Sequence, residues 1–279
     1  MKKHKRASGV STALSKTMAN FEKGSPLIDA DAKQEYTIKI ANTLEEREAA
    51  FKLGYTTYLE KGYIKENLEE RLICEYDFNS ETVVLIVQDK QKNIAGTLTL
   101  VFDDALELPA NKVYHLELDF IKKTHRRNAE ICRFVINSAY RNSKEILVLL
   151  FNYTAIYINK VKNYDGLVIE VTPRHKNYYK DLLHFKEFGK EKCCPQVQDT
   201  VGVLLHLSTL DYQNAIKDIK NNVSTNKKDR SLYPYFLKAE QEELVASYLD
   251  KQVKPMNAQE KIYFGYSETK NSNAFCVYR

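Results

Sequence analysis

Six short runs of β-branched and aliphatic residues set the limits on what this chain can become. They are Glu35–Ala41 (EYTIKIA), Val83–Val87 (VVLIV), Ile94–Phe102 (IAGTLTLVF), Ala129–Ile136 (AEICRFVI), Leu167–Val171 (LVIEV) and Val201–Leu207 (VGVLLHL). Runs of this length between polar turns predict strands. None approaches the ~20 apolar residues that a membrane-spanning helix needs. Between the runs lie helix signals. Thr43 with Glu46 forms a capping box ahead of a stripe of Leu44, Phe51, Tyr55, Tyr58 and Leu59 that runs to about Lys61, and Gly62 ends it. Asn142 and Glu145 bracket the start of a long helix to about Tyr164, closed by Asp165-Gly166. Thr172 caps a third helix with Pro173 at its first position; it carries Arg174, His175, Tyr178, Tyr179 and Leu182 to about Phe185.

Asp89–Asn93 reads as a hairpin connection, and Asp103–Asn111 as a loop closed by Pro109. The predicted order is strand, helix, three strands, helix, strand, helix, strand. Alternation along Ala129–Ile136 places Glu130, Cys132 and Phe134 on one face and Arg133 with Val135 on the other, unless a bulge intervenes. Beyond Leu210 the character changes to polar helical segments near 211–222, 238–250 and 257–265. The expected organisation is a basic arm (1–34), an α/β domain (35–210) and a helical C-terminal extension (211–279).

Charge is distributed unevenly. Residues 1–24 hold six Lys and Arg against Glu22, which leaves 36 basic and 36 acidic residues in the remainder. A neutral body argues against nucleic-acid binding, which needs a basic face on the folded domain. The arm reads as a solvated tail. Val10, Leu14, Met18 and Phe21 fall at roughly helical spacing, so contact with the body or with an anionic membrane surface is the other reading. The start, MKKHKRASGVSTAL, has no apolar stretch long enough for a secretory signal, so a cytoplasmic protein is expected. Cys74, Cys132, Cys193, Cys194 and Cys276 are odd in number and make no C-x-x-C pair, and the His residues are scattered. Reduced thiols and no metal site are expected.

The element order is that of the GNAT acyltransferase core, an α/β (α+β) fold with a mostly antiparallel twisted sheet flanked by helices. Six segments narrow the likeness: IANTLEEREAAFKLGYTTYLEKGY at 40–63, CEYD at 74–77, AGTLTLV at 95–101, AEICRFV at 129–135, VTPRHKNYY at 171–179 and the closing VGVLLHL. In this order, over about residues 36–215, the chain resembles the long-chain N-acyl amino acid synthases, relatives of the acyl-homoserine-lactone synthases. The resemblance implies transfer of a fatty acyl group from acyl carrier protein to the amine of an amino acid. It also implies no cofactor beyond the acyl-phosphopantetheine of the donor.

The residues carry this chemistry independently. An amine attacks a thioester only when unprotonated, so a carboxylate must take its proton, and fixed N–H donors must hold the oxyanion that follows. Glu130 of E-I-C-R-F is the candidate base; an ordinary salt-bridged Glu is the alternative. Arg133 either holds the acceptor's carboxylate or pairs structurally with Asp77, which lies in the family's acidic segment. Tyr58, Thr99 and His175 are further candidates for substrate binding, and Phe134 and Val135 for the acyl donor. His175 also fits a plain helix-start hydrogen bond. Most aromatic residues at helical spacing read as core rather than as a lipid tunnel.

Two departures weigh against homoserine-lactone chemistry. Gly54 stands where those synthases carry an Arg four positions before the aromatic matched by Tyr58, and Thr99 stands at their strand Arg. No Gly lies between Gly96 and Gly166, so the loop that cradles a coenzyme A pyrophosphate in ordinary GNAT enzymes has no counterpart. A donor tethered to an acidic carrier protein needs no such cradle. Lys122, Lys123, Arg126 and Arg127, with Arg141 and Lys144, then read as the carrier-docking charges, or else as a solvated basic loop. The rival functions are a coenzyme A-dependent acetyltransferase and a non-catalytic ligand-binding protein on the same fold.

Overall fold

The computed structural model describes residues 35–104, 106–221 and 230–266. The basic arm and Cys276 lie outside them. Strands β1 (Tyr36–Ile40), β2 (Val83–Asp89), β3 (Ile94–Phe102), β4 (Asn128–Ile136), β5 (Gly166–Val171), β6 (Lys186–Glu187), β7 (Lys192–Cys194) and β8 (Thr200–Ser208) form one eight-stranded sheet. Its order is β1-β2-β3-β4-β5-β8-β6, with β7 also on β8. Every pairing is antiparallel except β4 with β5.

VVLIV and IAGTLTLVF are near-continuous apolar runs because β2 and β3 are buried on both faces. Helix α1 (Leu44–Glu60) covers one face; its capping box of Thr43 and Glu46 is present, and Gly62, at φ +70°, lies just beyond its end. The same face carries α2 (Asn111–Thr124), a helix that the sequence reading left out of the expected order. Tyr114, Leu118 and Ile121 are its buried stripe, at i, i+4 and i+7.

The other face is covered by α3 (Lys144–Ile156), extended by a π-helical turn to Lys162, and by α4 (Lys176–Leu183) behind the turn at Pro173–His175. The C-terminal segments form α5 (Thr209–Lys220), α6 (Ala239–Gln252) and α7 (Ala258–Tyr263). They do not stand apart from the sheet. Val245 and Leu249 of α6 belong to the large core cluster with Leu98, Leu100 and Phe151. A buried Arg47–Glu260 ion pair of 2.6 Å ties α7 to α1. No helix among the described residues is long and apolar enough to cross a membrane.

Candidate active site

The site begins where two strands part. β4 and β5 pair only from Asn128 with Gly166 to Ile131 with Ile169, although β4 continues to Ile136 and β5 to Val171. On its other edge β4 bulges: Thr99 pairs with Cys132 and Thr97 with Val135, so Arg133 and Phe134 together face the single residue Leu98. Arg133 sits at φ +48°, a left-handed conformation uncommon for a residue with a side chain. The extra residue bends the strand and reverses its facing.

The simple alternation is thereby overturned. Arg133 leaves the sheet on the α1 side, over the Phe51 ring, whereas Phe134 packs on Phe151 of α3 on the opposite side. Glu130 and Cys132 thus share a face with Arg133, not with Phe134.

A cavity of about 570 Å³ runs through the parting. Its interior holds Glu130 and Cys132; Phe134, Val135, Leu147 and Ile169 form an apolar wall. Glu130 is only 4 % exposed, and its Oε2 accepts a hydrogen bond of 2.8 Å from the backbone N–H of Ala110, just ahead of α2. Burial pushes its carboxyl up from about 4.5 to about 8; the Ala110 hydrogen bond opposes the rise and the negative charge of Glu170 adds to it. The α-ammonium of a free amino acid titrates higher still, so raising the carboxyl to about 8 narrows the gap that a proton must cross between the two.

The other residues singled out in the sequence divide into three sets. Arg133 and Asp77 are buried against each other in a two-pronged ion pair, one prong of which is 2.7 Å from Nη1 to Oδ2. Arg133 also donates to the Leu72 carbonyl at 3.1 Å and to Thr99 Oγ1 at 3.2 Å, and Asp77 accepts from the Cys74 N–H at 2.8 Å. The guanidinium and carboxylate are committed to each other, which is the structural alternative, and Thr99 serves them rather than lining the cavity. Arg133 itself lines the cavity, as do Tyr58, His175, Phe134 and Val135. Nδ1 of His175 lies 3.0 Å from Thr172 Oγ1; burial, then the charges of Arg174 and Lys61, lower its pKa and hold it neutral near pH 7.

The third set, Lys122, Lys123, Arg126 and Arg127, lies at the N-terminal end of β4, and none of the four reaches the cavity. Arg127 is occupied there: it stacks 4.2 Å from the Tyr164 ring centre and donates to the Lys162 carbonyl at 3.0 Å. The cationic side chains that do line the cavity are Lys61, Lys112, Arg141 and the paired Arg133. Lys61 has its ammonium pKa lowered by burial, Arg141 and Arg174, so positive charge is crowded at that end.

Glu170 is the residue the sequence reading missed. It lines the cavity, and the alternation of LVIEV carries its signal, since Val168 and Glu170 share one face. Cys194 also lines the wall, its thiol raised to about 12 by burial and by Glu170. Among the described residues no group of three or more His, Cys, Asp or Glu is placed to hold a metal ion.

Comparison with known proteins places this arrangement. The sequence profile of the family described as N-acyl amino acid synthase FeeM matches residues 49–208. The solved structure of FeeM, an N-acyl amino acid synthase from uncultured soil microbes, is 23% identical; the match covers 64% of this chain and 93% of that one, with a TM-score of 0.56. The AHL synthase LasI is 18% identical, over 62% of this chain and 90% of its own, at a TM-score of 0.49. No curated protein matches the chain by sequence. With a GNAT-like fold and a family match across more than half its length, this chain belongs to the FeeM family of N-acyl amino acid synthases and is an N-acyltransferase.

Proposed function

We propose that the protein moves a long-chain acyl group from an acyl carrier protein thioester to the amine of an amino acid. The observation that carries this reading is a buried carboxyl with a pKa of about 8 opening into a cavity through parted strands, with an apolar wall beside it. The acceptor arrives as an ammonium ion, and Glu130 takes one proton from it and passes it to solvent. The free amine attacks the thioester carbonyl, forming the C–N bond, while backbone N–H groups of β4 beyond Ile131 stabilise the oxyanion. Collapse breaks the C–S bond. The second nitrogen proton travels through Glu130 to the departing pantetheine thiolate, leaving an amide and a thiol.

Two features favour a carrier-bound, long-chain donor. Phe134, Val135, Leu147 and Ile169 offer an acyl chain apolar cover, at about 0.8 kcal/mol for each CH₂ buried. The segment after β4 has no glycine cradle, and Lys61 and Arg141 supply side-chain cations at the cavity instead. Such cations suit one phosphodiester and the acidic surface of a carrier.

Charge reversal at these two positions tests the donor. In Lys61→Glu and Arg141→Glu, kcat/KM for an acyl carrier thioester is expected to fall roughly three- to tenfold at low salt, with the gap narrowing as salt rises. Unchanged kinetics at low salt would remove the docking role. A higher kcat/KM for the matching coenzyme A thioester in the unaltered protein would replace the carrier with coenzyme A.

A further inference from the structure

The cavity holds a second carboxyl that the mechanism above does not use. Glu130 pairs in register with Val168, and Glu170 lies two residues further along β5 on the same side of the sheet. The two carboxyls therefore face the same space. Glu170 is half-buried, and its neighbours differ from those of most acids in such a position. None of the ion pairs among the described residues includes it, and the nearby Cys194 thiol donates instead to Gln196 Oε1 at 3.0 Å. Burial raises its pKa, with that thiol opposing the rise.

The seat for this carboxyl is built into β8. A Cβ on Gly202 would stand 2.2 Å from Glu170 Oε1 and 3.0 Å from both Cδ and Cγ. Only a glycine leaves room for the carboxyl to lie against the strand, because any larger residue would displace it. The Gly202 carbonyl accepts a 2.7 Å hydrogen bond from Tyr114 Oη, which fixes that part of β8 under α2. The fold has cleared and pinned a place for a carboxyl, and among the described residues no cation is paired with it. A half-buried carboxylate facing a cavity without a cation is held at some cost, which a cationic ligand offsets on arrival.

We propose that Glu170 is the binding residue for the acceptor's ammonium group, holding a primary ammonium ion beside Glu130 until its proton leaves. This rests on the reading that the cavity acylates an amine, and it adds the group that recognises that amine. The titratable and charged neighbours on the surrounding elements are Cys132 on β4, Cys194 on β7, Tyr114 and Lys112 on α2, and Tyr76 in the turn at Glu75–Phe78. Lys112 is paired with Glu75 at 2.9 Å. Of these neighbours, Glu170 is the one that raises the pKa of Glu130.

The test uses the full chain and, as probe, whichever of the twenty common amino acids it acylates fastest. Glu170→Gln should raise the KM for that amino acid roughly 10- to 100-fold while leaving the donor KM within about twofold. It should also move the acidic limb of log(kcat/KM) to lower pH, because Glu130 loses a repulsive neighbour. A merely structural role moves neither quantity selectively. Glu170→Asp keeps the charge and should recover part of the acceptor KM; it also serves if the Gln variant fails to fold. An acceptor KM and pH limb unchanged in Glu170→Gln, or a charge-retaining variant no better than the neutral one, would overturn the proposal. Failure of the wider reading looks different: the unaltered protein would then acylate no amine at all.

Discussion

Replacing Glu130 by Gln is expected to lower kcat by about 10²- to 10⁴-fold and, at the same time, to make the protein more stable. The carboxyl is buried, keeps the shape of an amide, and is pushed up to about 8 from about 4.5. A raised carboxyl pKa means that the folded protein holds a proton that the unfolded chain has released. Its contribution to stability is complete below about pH 4.5 and is lost as pH rises through about 8. The Gln variant has no such loss and can still accept the Ala110 hydrogen bond. Its melting temperature should match the parent near pH 4.5 and exceed it by about 4 °C or more above pH 8. Parallel thermal melts and steady-state rates across this range check both halves. Activity of the unaltered protein should climb towards pH 8 as Glu130 ionises. Activity retained in the Gln variant would remove Glu130 as base, whatever the melts show.

The second large effect belongs to Arg133 and Asp77. Both are buried, and each supplies the other's counter-charge. Removing one partner strands a charge in the interior, so Asp77→Ala should cost about 3–5 kcal/mol and lower the melting temperature by roughly 10 °C. Arg133→Ala should do similar damage, since it also frees the Leu72 carbonyl and Thr99 hydroxyl that the guanidinium binds. The paired replacement Arg133→Met with Asp77→Leu should recover most of the loss, because a hydrophobic pair of similar volume carries no uncompensated charge. Chemical denaturation of the three variants measures this. Additive losses in the double variant would mean that the pair is not coupled in the way its geometry shows.

The fold was legible wherever local patterning and burial agreed. VVLIV, IAGTLTLVF and VGVLLHL are strands because both their faces are covered, and Thr43 and Pro173 mark helix starts whose capping chemistry is local. Helix α2 was passed over although Tyr114, Leu118 and Ile121 repeat at helical spacing. In the sequence, Asp103–Asn111 reads as a loop, and the polar stretch between it and the basic cluster at 122–127 is assigned no element.

The bulge at Arg133 had no such local signal. Nothing in A-E-I-C-R-F-V announces an arginine at positive φ; the conformation is held by distant partners, Asp77 and Leu72, that pull the side chain to the α1 side. The same long-range geometry decided the site. Glu130 and Asp77 were readable from their motifs, but the crowding of Lys61 with Arg141 needed the end of α1 to meet the segment after β4. The basic residues at 122–127 lie close to β4 in sequence yet stand at its N-terminal end, outside the cavity lining.

The most direct measurement of the central claim is a mass-spectrometric search for amide product after incubating the protein with an acyl carrier thioester and pooled amino acids. The account predicts an N-acylated amino acid from the unaltered protein, and from Glu130→Gln only a trace, although that variant remains folded. Ligand binding with no amide from any thioester, or equal product from both proteins, would contradict it.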